Sequence, residues 1–139
     1  MKAPLRYDFA SFSTEAQAVC PDRVFTDFLH RYAYGVDASC YSYVPQVVVK
    51  ANHEAEVIRI LELANQYGTP VTFRAAGTSL SGQCSSEHVL VVANDGFKRM
   101  EVLDGGKALR CDCGVIGSDA NEKLVPYGRK IGPDPATIA

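Results

Sequence analysis

Three short β-branched runs, with a single helical-period segment between the first two, constrain this chain more than any other feature. Gln46-Val47-Val48-Val49-Lys50, Val71-Thr72-Phe73-Arg74 and Val89-Leu90-Val91-Val92-Ala93 each have the length and composition of a strand. Between the first two, Asn52 offers a side-chain oxygen to cap a helix, and Glu54 and Glu56 favour the positive end of its dipole. Val57, Leu61 and Ala64 recur on one face of that helix, with Ile58 and Ile60 widening it. Gly68 and Pro70 stop it before the second strand. The spacing therefore predicts a strand–helix–strand–strand unit over residues 44–95.

Either side of that unit the patterning changes. Residues 1–43 read as a helical lead-in. Its first twenty residues lack a clear period, and a helix is expected from Asp22 to about Tyr32, where Val24, Phe25, Phe28, Leu29 and Tyr32 share helical spacing. Gly35 ends it, and Asp37 to Tyr41 form a loop. Residues 96–139 open a second, β-rich unit. Lys98 to Leu103 and Ala108 to Cys113 flank Asp104-Gly105-Gly106, a hairpin signal. A helix capped by Ser118 is expected to run to about Leu124. The fold class is thus α+β, with the chain expected to stop inside its second unit.

Composition excludes several functions. A net charge of −2 gives no electrostatic footprint for nucleic acid. No apolar run reaches the roughly 18–20 residues that cross a bilayer, and Met1 to Asp8 lack the apolar centre of a signal peptide. A cytoplasmic location is expected by default, with peripheral attachment to a membrane left open. The five cysteines are an odd number without a secretion signal, which favours reduced thiols. Cys111 and Cys113 have C-x-C spacing, yet no second pair completes a metal site, so packing is the expected role and no metal is expected. His30, His53 and His88 are scattered and read as surface or capping residues.

The chemistry is concentrated between the second and third strands, in Arg74-Ala75-Ala76-Gly77-Thr78-Ser79-Leu80-Ser81-Gly82-Gln83. A loop this long needs a reason. Small residues admit a ligand to the backbone, and Gly77 and Gly82 can take positive φ at little cost. Successive N–H groups and the hydroxyls of Thr78, Ser79 and Ser81 then make a nest suited to a pyrophosphate. Gln83-Cys84 stand where a P-loop needs Lys and Ser or Thr, and a Rossmann G-x-G-x-x-G is absent.

The pattern Arg-small-small-Gly-Thr-Ser-x-x-Gly between two strands resembles the pyrophosphate loop of FAD-binding domains of the p-cresol methylhydroxylase and vanillyl-alcohol oxidase type. Pro45 to Val49, the helix with Glu54 to Val57, and Gly68-Thr69-Pro70-Val71 are similar to the lead-in of that family. Cys113-Gly114-Val115 before a helix resembles its later strand–turn–helix step, and Gly132 to Thr137 its second flavin-contacting segment. The likeness is nearest to the D-lactate dehydrogenase and glycolate oxidase branch. Asp37-Ala38-Ser39-x-Tyr41 further resembles the large members that carry an iron–sulfur module in the same polypeptide.

The resemblance implies cofactor contacts from Phe73, Arg74, Ala75, Ala76 and Gly77, from Thr78, Ser79, Leu80, Gly82 and Gln83, and from Pro133, Asp134, Pro135 and Thr137. It implies oxidation of a 2-hydroxy acid such as D-lactate or glycolate by hydride transfer to FAD. Base and substrate groups would lie in a downstream substrate domain, and any iron–sulfur cluster in a further downstream module. Members with covalently attached flavin often have His where Thr78 stands, so a non-covalent flavin is expected. Ala75 and Ala76 replace the usual glycines, which could reduce the amides available to the anion. Arg74 reads as a solvated strand-end charge, a phosphate contact or a loop brace. An enolpyruvyl-reductase-like enzyme and a non-catalytic anion- or partner-binding module stand as alternatives. Residues 1–139 alone are expected to bind FAD weakly or not at all, and open strand edges would invite dimerisation.

Overall fold

The computed structural model describes residues 7–133, 135, 137 and 138. Helix α1 (Phe9–Val19) leads into a two-residue strand β1 (Val24–Phe25), a short helix α2 (Phe28–Ala33) and strand β2 (Val47–Lys50). Helix α3 (Glu54–Gln66), strand β3 (Val71–Arg74) and strand β4 (Val89–Val92) complete the first sheet. Its order is β1-β2-β4-β3, with β2, β4 and β3 parallel and β1 antiparallel to β2. Strands β5 (Met100–Leu103) and β6 (Ala108–Cys111) form a separate antiparallel pair, followed by helix α4 (Gly117–Leu124). The fold is mixed α+β, and strands, helix and hairpin lie where the sequence patterning puts them.

Side chains alternate across the sheet, so β2 and β4 build two cores at once. Val47, Val49, Val89 and Val91 face α1 and α3, meeting Phe12, Ala16, Ile60 and Leu63. Val48, Leu90 and Val92 face the other way, against Phe25 and Tyr34. Fully burying each such side chain contributes about 1.5–3 kcal/mol before entropy is counted.

The structure corrects four local expectations. The first twenty residues contain a helix, α1, capped by Asp8, whose Oδ1 accepts from the Ser11 N–H at 3.0 Å. Val24 and Phe25 are strand, not helix, because they pair with Val49 and Val48, and Asp27 caps the helix that follows. His53, not Asn52, is the N-cap of α3, and the Asn52 N–H instead donates to Glu56 Oε2 at 2.7 Å. The buried face of α3 is Glu56, Ile60, Leu63 and Ala64, leaving Ile58 and Leu61 exposed.

That rotation of α3 has a clear cause. Arg23 forms a two-pronged pair with Glu56 at 2.8 and 2.5 Å and also donates to Lys50 O at 2.9 Å. A carboxylate so partnered can occupy the inward stripe. The Arg23 hydrogen bond holds the Glu56 carboxyl down at about 2, against the opposing effect of burial.

Candidate functional site

The loop begins where β3 ends. Because β3 and β4 are parallel, the chain must travel back along a four-residue strand, about 13 Å, before β4 can start. Topology therefore accounts for part of the loop's length. Its conformation reflects its glycines: Gly77 has φ +75° and Gly82 φ +77°. Ala75 and Ala76 are not in the positive-φ region, so alanine at these positions carries no backbone penalty. Among the described residues, the N–H groups of Ala75, Ala76, Gly77, Thr78, Ser79 and Leu80 make no intramolecular hydrogen bond. Those amides remain available for an anion.

Arg74 is a brace. Its Nη1 donates to Tyr34 O at 2.9 Å and Val36 O at 2.7 Å, and its guanidinium carbon lies 5.6 Å from the centre of the Tyr34 ring. The guanidinium packs under Gly77 so closely that a Cβ there would stand 2.1 Å from Nη2. Tyr41 supports the far end of the loop, 2.6 Å from where a Gly82 Cβ would be. Residues 34–43 thus strap the loop from one side. Asp37 Oδ1, accepting from the Ser39 N–H at 2.8 Å, orders this strap; the Ser39 side chain and then its main-chain N–H lower the Asp37 pKa, with help from the Arg74 charge.

A cleft of about 720 Å³ opens at the carboxyl ends of β3 and β4. Ala75, Ala76 and Thr78 form one side and Pro135, Thr137 and Ile138 another. The floor and remaining wall are Asn94, Lys98, Cys113 and the turn from Gly114 to Gly117. The structure therefore brings five sequence-predicted residues together: Ala75, Ala76, Thr78, Pro135 and Thr137. Phe73, Arg74, Gly77, Ser79, Leu80, Gly82, Gln83 and Pro133 do not line it. Arg74 and Gly77 shape the loop from behind, while Phe73 and Leu80 are exposed. Asp134 lies outside the described residues.

Sequence reasoning missed Asn94 and Lys98, which carry no local motif. Asn94 Oδ1 is buried with no hydrogen-bond partner among the described residues. The Lys98 ammonium donates to Gly114 O at 2.5 Å and supplies positive charge at the cleft wall. The turn at Gly114 was recognised only as a stage in the chain's path. Its proximity to the cleft follows from close backbone packing, since a Cβ at Gly114 would lie 2.1 Å from Asn94 O. Ser118 does not cap α4 as expected. Ile116 is the N-cap without a side-chain bond, and the Ser118 N–H donates to Ile138 O at 2.7 Å. The tail thereby occupies the cap and lines one side of the cleft.

The thiol of Cys113 donates to Ala93 O at 3.1 Å, and all five cysteines are free. Among the described residues no group of three or more His, Cys, Asp or Glu could hold a metal ion. Nor, among them, is any helix long and apolar enough to cross a membrane.

Residues 45–139 match the family described as FAD binding domain. The chain is 26% identical over 118 residues to the D-2-hydroxyglutarate dehydrogenase of Haemophilus influenzae, covering 82% of this chain and 12% of that protein. It is 31% identical over 90 residues to the D-lactate dehydrogenase of Archaeoglobus fulgidus, covering 64% of this chain and 20% of the relative. The chain thus spans about an eighth to a fifth of these relatives' lengths. Among solved structures, alkyldihydroxyacetonephosphate synthase superposes with a TM-score of 0.75 at 18% identity, over 99% of this chain and 28% of that one. The fold is shared with p-cresol methylhydroxylase as well.

Proposed function

Because this chain belongs to the FAD binding domain family, we propose that residues 1–139 hold the pyrophosphate-proximal part of FAD in a flavin-dependent dehydrogenase of 2-hydroxy acids. The carrying observation is the single cleft that gathers Ala75, Ala76 and Thr78 with Pro135 and Thr137. A run of unengaged amides over residues 75–80 fits an anionic guest. FAD, once bound, would supply the hydride-accepting chemistry.

The work of this chain is binding and orientation. Backbone amides of residues 75–80 receive the diphosphate oxygens, and Lys98 adds positive charge at the cleft wall. Arg74 keeps the nest in shape from behind, and Phe73, Ser79, Leu80, Gly82 and Gln83 complete its outer surface. Pro133, Asp134, Pro135 and Thr137 form the second contacting segment. Residues 44–95 and 96–139 act as two subdomains on either side of the cofactor, with residues 1–43 strapping the first. Thr78 offers no imidazole, so the flavin is held without a covalent bond.

Substrate and base groups belong to a domain outside residues 1–139, as does any iron–sulfur cluster, for which iron and acid-labile sulfide analysis of the full-length polypeptide is the check. The exposed Phe73 on edge strand β3 and the open edges of the β5–β6 pair are seats for that domain, or for a second copy when it is missing.

The test is anaerobic reduction of the flavin-loaded full-length polypeptide. Bleaching of the flavin by D-lactate, glycolate or D-2-hydroxyglutarate supports the proposal. Bleaching by a reduced nicotinamide alone would move the enzyme to the enolpyruvyl-reductase type, and failure to take up flavin would leave an anion- or partner-binding module.

A further inference from the structure

The loop amides meet a guest from one wall of the cleft, while another wall carries a cation whose position is fixed by the second sheet. Met100 and Cys111 are the last formal pair of the β5–β6 ladder, yet its register continues past them. The Asp112 N–H donates to Arg99 O and the Gly114 N–H to Phe97 O, both at 3.0 Å, which sets Lys98 opposite Cys113. Opposed residues of an antiparallel pair project from the same face. Both of these line the cleft. The Cys113 thiol donates to Ala93 O at 3.1 Å, and the Lys98 ammonium to Gly114 O at 2.5 Å. Lys98 is exposed, so one ammonium proton is used on that carbonyl and the other two are open to a guest.

Among the described residues that line the cleft, Lys98 alone carries a charged side chain. No carboxylate of the described residues stands within ion-pair distance of its ammonium. The acids beside it in the fold are engaged elsewhere, Asp95 by Lys50 Nζ at 2.7 Å and Asp112 by Arg99 Nε at 3.0 Å. A cation without a counter-ion, facing a cleft that also presents unengaged amides, is complementary to a multiply charged anion. We infer that Lys98 is a direct ligand of the cofactor diphosphate, gripping it from the second unit and tying it to the Gly114 turn. The anion then bridges the cleft: the first unit holds it through the amides of residues 75–80, the second through an ammonium that also holds Gly114 O. A guest so placed covers the thiol opposite Lys98. This inference rests on the FAD reading above and names the side chain that carries its charge recognition.

Lys98→Met removes the charge while keeping a long side chain, and Lys98→Arg keeps the charge. FAD affinity of the full-length apo-polypeptide is read by flavin fluorescence, and inorganic diphosphate affinity by calorimetry, with thermal midpoints of the ligand-free proteins alongside. The methionine variant should lose about tenfold or more for both ligands, as a charge-assisted hydrogen bond implies, and the arginine variant should retain most of the affinity. Alkylation by N-ethylmaleimide, mapped by mass spectrometry, gives a second readout. FAD should slow the reaction of Cys113 in wild type and leave that of Cys111, exposed and outside the cleft, unchanged. Unchanged FAD affinity in Lys98→Met, or a loss for FAD with none for diphosphate, would overturn the inference and leave the FAD reading intact. Equal losses in both variants, matched by equal falls in ligand-free midpoint, would also overturn it, because Lys98 would then only hold Gly114 O. So would Cys113 left unprotected by FAD, since the guest would then lie away from this wall. A wild-type polypeptide that takes diphosphate but no FAD would refute the functional reading itself.

Discussion

Replacing Gly77 by alanine isolates the Arg74 brace, because the perturbation has two parts that can be separated. The first is backbone. Gly77 sits at φ +75°, where an L-residue costs about 1–2 kcal/mol. The second is contact. The new Cβ would fall 2.1 Å from Arg74 Nη2 and 2.3 Å from its central carbon, so the guanidinium must leave. Leaving breaks the bonds to Tyr34 O and Val36 O, at 2.9 and 2.7 Å, one of them in a solvent-exposed setting. Together these are worth about 1–3 kcal/mol, so Gly77→Ala is expected to destabilise by about 2–5 kcal/mol. Arg74→Ala alone removes only the second part, about 1–3 kcal/mol. The double variant should therefore be hardly worse than Gly77→Ala, a coupling of about 1–3 kcal/mol between the sites. Urea unfolding of all four proteins, with slopes checked for constancy, measures it. Additivity to within about 0.5 kcal/mol would refute the reasoning, since Arg74 would then have kept its bonds beside the new methyl.

Three further outcomes follow from named groups. Glu56 is held at about 2 against an ordinary 4.5, chiefly by its hydrogen bond to Arg23, so its stabilisation is full above about pH 4.5 and is lost as pH falls toward 2. The difference in stability between wild type and Glu56→Gln should be on the order of 3 kcal/mol at pH 7 and shrink to nearly nothing near pH 2, as read by denaturant titration across that range. Gly114→Ala, whose Cβ would meet Asn94 O at 2.1 Å and Phe97 O at 2.7 Å, should cost about 3 kcal/mol or more, because both obstacles are backbone; a thermal midpoint within a degree of wild type would contradict it. Acid precipitation of the flavin-loaded full-length polypeptide should leave the yellow cofactor in the supernatant, since Thr78 cannot form a histidyl link; colour retained in the pellet would be the contrary result.

Where the pattern was long and regular, the sequence was a good guide. The β-branched runs at Val47–Lys50, Val71–Arg74 and Val89–Val92, and the hairpin around Asp104–Gly106, are legible because local residues decide them. Helix α1 was hidden because its inward stripe is narrow. Phe12 and Ala16 are its buried positions, with Cys20 buried at the C-cap, and serine, threonine and glutamate surround them. The buried face of α3 was misjudged because an inward carboxylate is unreadable without Arg23, thirty-three residues away. The same holds at the site. Loop composition announced a nest, yet the carbonyls that hold Arg74 lie 40 and 38 residues earlier in the chain. Asn94 and Lys98 belong to no motif, and only the meeting of two sheets gives them a role.

The seam between those sheets explains why one cleft can serve two distant segments. Ala93 O accepts from the Cys113 thiol at 3.1 Å, Asn94 O packs on Gly114, and Lys98 reaches back to Gly114 O at 2.5 Å. Each of these contacts joins the chain just beyond β4 to the turn between β6 and α4, and each uses a residue that lines the cleft or its immediate neighbour. The two walls are therefore registered by the residues that face the guest. Beyond the turn, the bond from Ser118 N–H to Ile138 O draws the tail across the start of α4 and brings Pro135 and Thr137 opposite Ala75 and Ala76. A substitution that loosens the seam should thus weaken the cleft at both segments together, whereas one in the Arg74 brace should disturb the loop and leave the tail in place. Separate effects on the two segments are what the geometry allows for the brace and forbids for the seam.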